Sequence, residues 1–381
     1  MSDLEDRLRD VYRAVADTVD PATILGVPVK TEPRAAVSRR IRFITPFAAA
    51  AAVILVVVLT TISVGISHGH SGRAAKTRAP APAAAGLPAF TVVSQGSSLE
   101  VFNTGTGAAV GTLAAPAGLE FDGVASGGTS QTFLAFANPA SATAPCHAYY
   151  YSFRLTAAGL PQGLTLLRSI AGSAASAIAA SPGGGTYAYS AVHCLTAPPN
   201  GLIGISGQAG NHTWAYNEGD DYTFSLAATA GAKELVLSLM DQEDNWANLL
   251  LNTGSGSPTV DAASRVVPAV PYAQALAISP NGATLYACVS GDQTGQLAAY
   301  SAATGGLIRV LYKWTVAQAA DNFCQVSADA TGTLLLASFY STEVAFTAPS
   351  TSLIAINPQA GTAVKLPISA DLVKKGVGAA W

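Results

Sequence analysis

Charge is scarce in this sequence. Asp, Glu, Lys and Arg together make up 11% of its 381 residues, and the net charge is −3. No basic field of the kind that holds a phosphate backbone is present, which excludes nucleic acid as a partner. Cysteine is missing from the first 145 positions and occurs only as Cys146, Cys194, Cys288 and Cys324. Catalytic signatures are missing as well. There is no nucleophile elbow, P-loop, HExxH helix or dinucleotide fingerprint, so the chain carries none of the local arrangements those chemistries require. No catalytic residue is therefore assigned.

What the sequence does contain begins with residues 44–66, ITPFAAAAAVILVVVLTTISVGI, a run of 23 residues without a charge. A bilayer core is spanned by about 20 apolar residues in a helix. A soluble core helix of that length would show a polar face, and this run has none. Lys30, Arg34, Arg39, Arg40 and Arg42 precede it closely, while Arg73, Lys76 and Arg78 follow at greater distance. That bias places the N-terminus in the cytoplasm and the C-terminal bulk outside. A cleaved signal peptide is the competing reading, but its charged region would be about 40 residues long, beyond the usual range. A single-pass signal anchor in the cell membrane is the expectation.

Residues 1–43 form the cytoplasmic head. Ser2 and Glu5 make a capping box, and Leu4, Leu8, Val11, Tyr12, Val15 and Val19 recur at helical spacing. An amphipathic helix over residues 2–19 follows. It cannot bury its own stripe and is marginal alone, which points to a cytoplasmic protein partner. The polar face is mixed in sign, unlike the basic face of a membrane-surface helix. The head has no Cys or His, so the zinc-binding HxxxCxxC pattern of one class of anti-sigma factors is absent. Residues 67–88 are rich in Ala, Pro and Gly and read as an extended extracytoplasmic spacer.

From residue 89 onward the pattern changes to short β-type runs with regular turn punctuation. A polar residue followed four positions later by Gly recurs as Asn103/Gly107, Ser206/Gly210, Asn252/Gly256, Ser301/Gly305 and Asn357/Gly361, with a looser copy ending at Gly159. The spacing is near 50 residues. Side-chain bonding to the turn backbone and glycine at φ > 0 suit such a turn to an antiparallel hairpin. A second turn signal falls at Ser181, Ala228, Ser279 and Ser327, separated by 47, 51 and 48 residues. The two signals alternate, so each unit holds four strands, which describes propeller blades. Blades start near Phe121, Ala175, Tyr222, Ala273 and Asn322. The first unit has only three strands, and the terminal GVGAAW supplies its missing innermost one. An all-β, six-bladed propeller over residues 89–381 is expected, with seven as the alternative count.

The SPNGxxLY turn followed by a strand and then [NS]xxxG resembles the YVTN or lactonase-like and WD40-like β-propeller repeats. The whole layout resembles single-pass membrane propeller proteins common in high-GC actinobacteria. The resemblance implies a propeller and no particular activity. The WD dipeptide is absent.

Outside the cytoplasm four cysteines read as two disulfides. Cys146–Cys194 and Cys288–Cys324 are the expected pairs, because neighbouring blades would bring each together. A zinc site from Cys146, His147, His193 and Cys194 is the alternative. Acids concentrate in one stretch: Glu218, Asp220, Asp221, Glu234, Asp241, Glu243 and Asp244 are seven of the 16 beyond the apolar run. Trp214, Tyr216, Tyr222 and Trp246 are interleaved with them. One reading is a solvated loop rim. The other is a ligand site, with aromatic faces for stacking and carboxylates for calcium or hydroxyl groups. On that reading the binding residues are Trp214, Tyr216, Asp241, Glu243, Asp244 and Trp246, joined by Asp292 and Asp321 near blade turns. No cofactor beyond calcium is expected. The sequence thus describes a membrane-anchored binding or sensing module for an extracellular protein or carbohydrate. A calcium-dependent propeller hydrolase or lyase and a cell-envelope scaffold are the alternatives.

Overall fold

The computed structural model describes residues 86–194, 201–216, 222–240, 246–267, 270, 273–290, 294–315, 321–342, 351–368 and 378–381. The expected helix at 2–19 and the span at 44–66 lie outside them. No helix among the described residues is long and apolar enough to cross a membrane.

Twenty-four strands form six four-stranded antiparallel sheets. Blade 1 holds β1 (Phe90–Ser94), β2 (Ser98–Asn103) and β3 (Ala109–Ala114). Blade 2 holds β4 (Leu119–Thr129), β5 (Thr132–Pro139), β6 (His147–Leu155) and β7 (Pro161–Ala171). Blade 3 holds β8 (Ser173–Ala180), β9 (Thr186–His193), β10 (Gly201–Gly207) and β11 (His212–Tyr216). Blade 4 holds β12 (Tyr222–Ala228), β13 (Glu234–Met240), β14 (Trp246–Asn252) and β15 (Ser264–Val266). Blade 5 holds β16 (Ala275–Ile278), β17 (Thr284–Ser290), β18 (Thr294–Ser301) and β19 (Leu307–Thr315). Blade 6 holds β20 (Asp321–Ala328), β21 (Leu335–Thr342), β22 (Thr351–Asn357) and β23 (Thr362–Lys365). The inner strands begin within two residues of the positions read from the repeats.

Strand β24 (Ala379–Ala380) returns from the C-terminal end and becomes the innermost strand of blade 1. It pairs antiparallel with β1, Val92 opposite Ala380 and Val93 opposite Ala379. The expected closure by both chain ends is therefore present. It leaves no unpaired inner strand at the seam. Trp381 is 1% exposed and packs with Phe102, Leu336, Leu353 and Leu366.

The apolar core is divided into six layers, each between two neighbouring blades. The period-2 alternation of a strand explains this division. In β13, Leu235, Leu237 and Leu239 face blade 3, whereas Val236 between them faces blade 5. A strand buried on both faces reads as a continuous apolar run, and ELVLSLM fits that pattern. Toward the axis the blades crowd, and the inner strands become small: β8 reads SAASAIAA and β16 reads ALAI.

The turn chemistry read from the sequence is in place in most copies; the exception is Asn252/Gly256, where Gly256 has no positive φ and a short helix, Val260–Ala263, precedes β15. Asn103 Oδ1 accepts from the Thr106 amide, and Gly107 takes φ 70°. Asn357 Oδ1 accepts from the Gln359 and Ala360 amides, and Gly361 takes φ 69°. The second turn signal is shifted in two of its four copies. The side chains that hold these turns are Ser181, Thr229, Ser279 and Asp329, rather than residues 228 and 327 in the second and fourth. Any short acceptor side chain at the turn entry performs the same task, so matching on Ser alone misplaces those copies.

Candidate functional site

The connections from the first to the second strand of each blade lie at the lower end, and several of them meet on the axis. The Gly183 amide donates to Ala330 O (3.2 Å), bridging blades 3 and 6, and the Ala230 amide donates to Pro280 O (3.0 Å). Gly332 takes φ 71°, and a Cβ there would stand 2.6 Å from Pro280 Cγ and 3.3 Å from Pro182 Cγ. Glycine is required by both the backbone angle and the close approach. Among the described residues, these turns plug the lower end.

Above the plug the inner strands enclose a cavity of about 150 Å³. At ~30 Å³ per molecule it has room for a few waters. Its lining is mostly Ala, Val, Ile and Leu, with Asp122, Ser126, Ser176, Ser225, Gln325 and Ser327 as the main polar groups.

Several of those polar groups join one blade to the next. Ser225 Oγ donates to Leu276 O (3.1 Å) and accepts from the Leu276 amide (2.9 Å), tying blade 4 to blade 5. Ser327 Oγ donates to Ala379 O (2.9 Å), tying blade 6 to blade 1. Ser176 Oγ donates to Ser190 Oγ (3.1 Å), which in turn donates to Thr223 Oγ1 (2.8 Å), tying blade 3 to blade 4. Asp122 accepts from Asn138 Nδ2 (2.7 Å), while Asn138 also bonds both the amide and the carbonyl of Ala175 in blade 3. Outside the lining, Ser94 Oγ donates to Phe121 O (2.7 Å) between blades 1 and 2, and the Cys324 amide donates to Gln274 Oε1 (3.0 Å) between blades 5 and 6. Every junction of the ring thus carries an uncharged hydrogen bond near the axis. Ser225 and Ser327 hold backbone partners, and the lining carboxylates are Asp122 and Asp329, the latter accepting from Thr331 Oγ1 (2.7 Å).

Tyrosines reinforce the same junctions. Tyr150 Oη donates to Ser190 O across blades 2 and 3. Burial raises the Tyr150 phenol far above its ordinary value, with Tyr189 and Tyr216 adding to the shift. Burial also raises Tyr189, against the opposing charge of Arg168, whose guanidinium sits 4.7 Å over its ring. These phenols are neutral hydrogen-bonding groups in the folded protein.

Both expected disulfides are present, and both join neighbouring blades. Cys146–Cys194 links blades 2 and 3, and Cys288–Cys324 links blades 5 and 6. This removes the zinc alternative, because the sulfurs are spent in S–S bonds. His147 instead stacks on Tyr149 at 4.5 Å, and His193 Nδ1 contacts Ser173 Oγ at 2.8 Å. Among the described residues no group of three or more His, Cys, Asp or Glu could hold a metal ion.

Of the sequence-derived binding residues, only Trp214 and Tyr216 have described side chains. Trp214 and Tyr216 alternate on β11 and are buried between blades 3 and 4, at 0% and 3% exposure. Tyr216 lies across Gly201, its cross-strand partner, where a Cβ would stand 1.7 Å from the phenol Cζ. These two rings serve as core at that junction. Asp241, Glu243, Asp244 and Asp292 lie outside the described residues. Trp246 begins β14 and Asp321 begins β20, and only their backbones are described. The strand ends flanking 241–245 and 291–293 and the start of β20 all belong to the upper end.

No protein-family model matches the chain, and a search of curated proteins finds no match. Solved structures do resemble it. TolB from Acinetobacter baumannii is 13% identical with a TM-score of 0.49, covering 76% of this chain and 66% of that one, so the chain spans just under two thirds of TolB. A nidogen/laminin complex matches at 12% identity and a TM-score of 0.49, covering 77% of this chain and 98% of that one. The periplasmic gluconolactonase of Pseudomonas aeruginosa matches at 11% identity and a TM-score of 0.45, covering 72% and 81%. Six four-stranded sheets, closed at the seam by β24, make the described chain a six-bladed β-propeller.

Proposed function

We propose that the chain is a membrane-anchored binding or sensing module whose propeller stands outside the cytoplasm and takes a protein or carbohydrate ligand at its upper end. Residues 44–66 are the anchor on this reading, and the helix at 2–19 docks on a cytoplasmic protein. The charge-free run and its flanking cations support the anchor. Two disulfides, with no cysteine left free, support an oxidising compartment.

The observation that carries the binding role is the meeting of turns at the lower end. The lower end is plugged, and polar groups of the channel are used in joining blades, which leaves the upper end for recognition. Asp241, Glu243, Asp244, Asp292, Trp246 and Asp321 belong to sequence that begins or joins strands there, and we assign them to that surface, with calcium as an optional bridging ion. The test is a fluorescence titration of the full chain in nanodiscs with a panel of oligosaccharides, with and without calcium. A saturable response lost in Trp246→Ala and Asp244→Asn but kept in Ala209→Ser is the expected result. A response indifferent to both upper-end substitutions, or none across the panel, removes the carbohydrate reading.

A further inference from the structure

We propose that the outer edge of blade 5, flanked by those of blades 4 and 6, rests against an anionic lipid surface. This rests on the membrane-anchoring reading above. The fourth strands of the six blades, β3, β7, β11, β15, β19 and β23, carry five formal charges: Arg168, Arg265, Arg309, Lys313 and Lys365. All five are cations, in a domain where acids outnumber cations. The nearest acid in sequence, Asp261, stands just before β15.

The same edge carries the exposed aliphatic surface. Every large hydrophobic side chain strongly exposed among the described residues lies on a fourth strand or directly beside one: Leu160 and Leu166 at β7, Val266 on β15, Leu307, Ile308 and Val310 on β19, and Val364 on β23. Five of these seven fall on consecutive blades 4, 5 and 6, beside Arg309, Lys313 and Lys365. Cations alone would suffice to keep a sheet edge from pairing with another. Aliphatic side chains between them work against that purpose and instead fit an interface of apolar depth and negative charge. Such pairing is how basic, apolar surfaces hold to anionic bilayers.

Leu87, at the start of the described chain, packs on the cluster shared by blades 6 and 1, which includes Leu353 and Leu366. The apolar run ends at residue 66, and the spacer of residues 67–88 reaches at most about 70 Å at ~3.1 Å per residue. On the anchoring reading this spacer holds the propeller at high effective concentration near the membrane surface, and the charge and apolar pattern selects the edge that meets it.

The test uses the full chain in vesicles of pure phosphatidylcholine or with 30% phosphatidylglycerol. No native cysteine is free, so Ile308→Cys provides a unique labelling site, and Ala209→Cys in the β10–β11 turn of blade 3, two blades away, is the control. A headgroup-level quencher should reduce the emission of the label at 308 at least threefold more in anionic than in neutral vesicles, with no such difference at 209. The triple variant R309E/K313E/K365E should bring position 308 down to the control level. Equal quenching in both lipids, or quenching indifferent to charge reversal, overturns the proposal. So does a triple variant that self-associates with its quenching unchanged, because the cations then serve only to prevent edge pairing. Carbonate extraction of the same vesicles reports separately on the anchor. If the chain is released, the anchoring reading fails, and vesicles added to released protein still test the edge.

Discussion

The inner and outer strands of each blade have the same backbone and opposite surfaces. Inner strands such as β8 and β16 are small, uncharged and buried on both faces. Outer strands such as β19 and β23 are exposed, cationic and aliphatic. The difference teaches where this propeller's stability resides. Inner strands touch two neighbouring blades near the axis, where hydrogen bonds and six apolar layers meet. Outer strands touch one neighbour in their own sheet, and substitutions at their exposed positions should be nearly silent for folding; β11, whose Trp214 and Tyr216 are core between blades 3 and 4, is the exception.

Trp381→Ala should break the inner side most severely. It removes a buried ring that packs between blades 6 and 1 at the seam, and the expected loss is about 3–5 kcal/mol. Chemical denaturation measures it, and a loss below 1 kcal/mol would place the seam's stability elsewhere. Tyr150→Phe should cost about 1–2 kcal/mol, because Ser190 O loses its cross-blade donor. The same variant sharpens the comparison through pH. Tyr150 is held protonated in the fold by burial, so its contribution is full below the ordinary tyrosine value of 10.0 and is lost as pH rises beyond it. Denaturation midpoints of the wild type should be level below about pH 10 and fall above it, and the variant should fall less steeply. On the outer side, Val364→Thr should change stability by less than about 0.5 kcal/mol. A larger change would mean that the edge of blade 6 contributes to folding.

Much of this ring could be read from the chain alone. Glycines near 50-residue spacing, each with a polar partner at the turn entry, report backbone geometry directly, so blade number, blade boundaries and seam all followed. The disulfides followed too, because adjacent repeats become adjacent blades. What could not be read was which aromatics face inward. Trp214 and Tyr216 precede an acidic run and invited a surface assignment. The contrary signal was local: two rings at alternate positions of HTWAY, with Ala215 between them and Gly201 as the cross-strand seat of Tyr216. Sequence patterning gives alternation, but only the register across strands shows that a glycine has made space for a ring.

The seam also sets how the molecule meets a mechanical load. Blade 1 receives the incoming chain through β1 and is closed by β24, so tension arriving before Gly86 is delivered to the one sheet that holds both chain ends. There β1 is gripped by five residue pairs to β2 and by two to β24. A pull from that side therefore bears first on the shortest strand pairing of blade 1, while the other five blades, each continuous in sequence, stay out of the line of force.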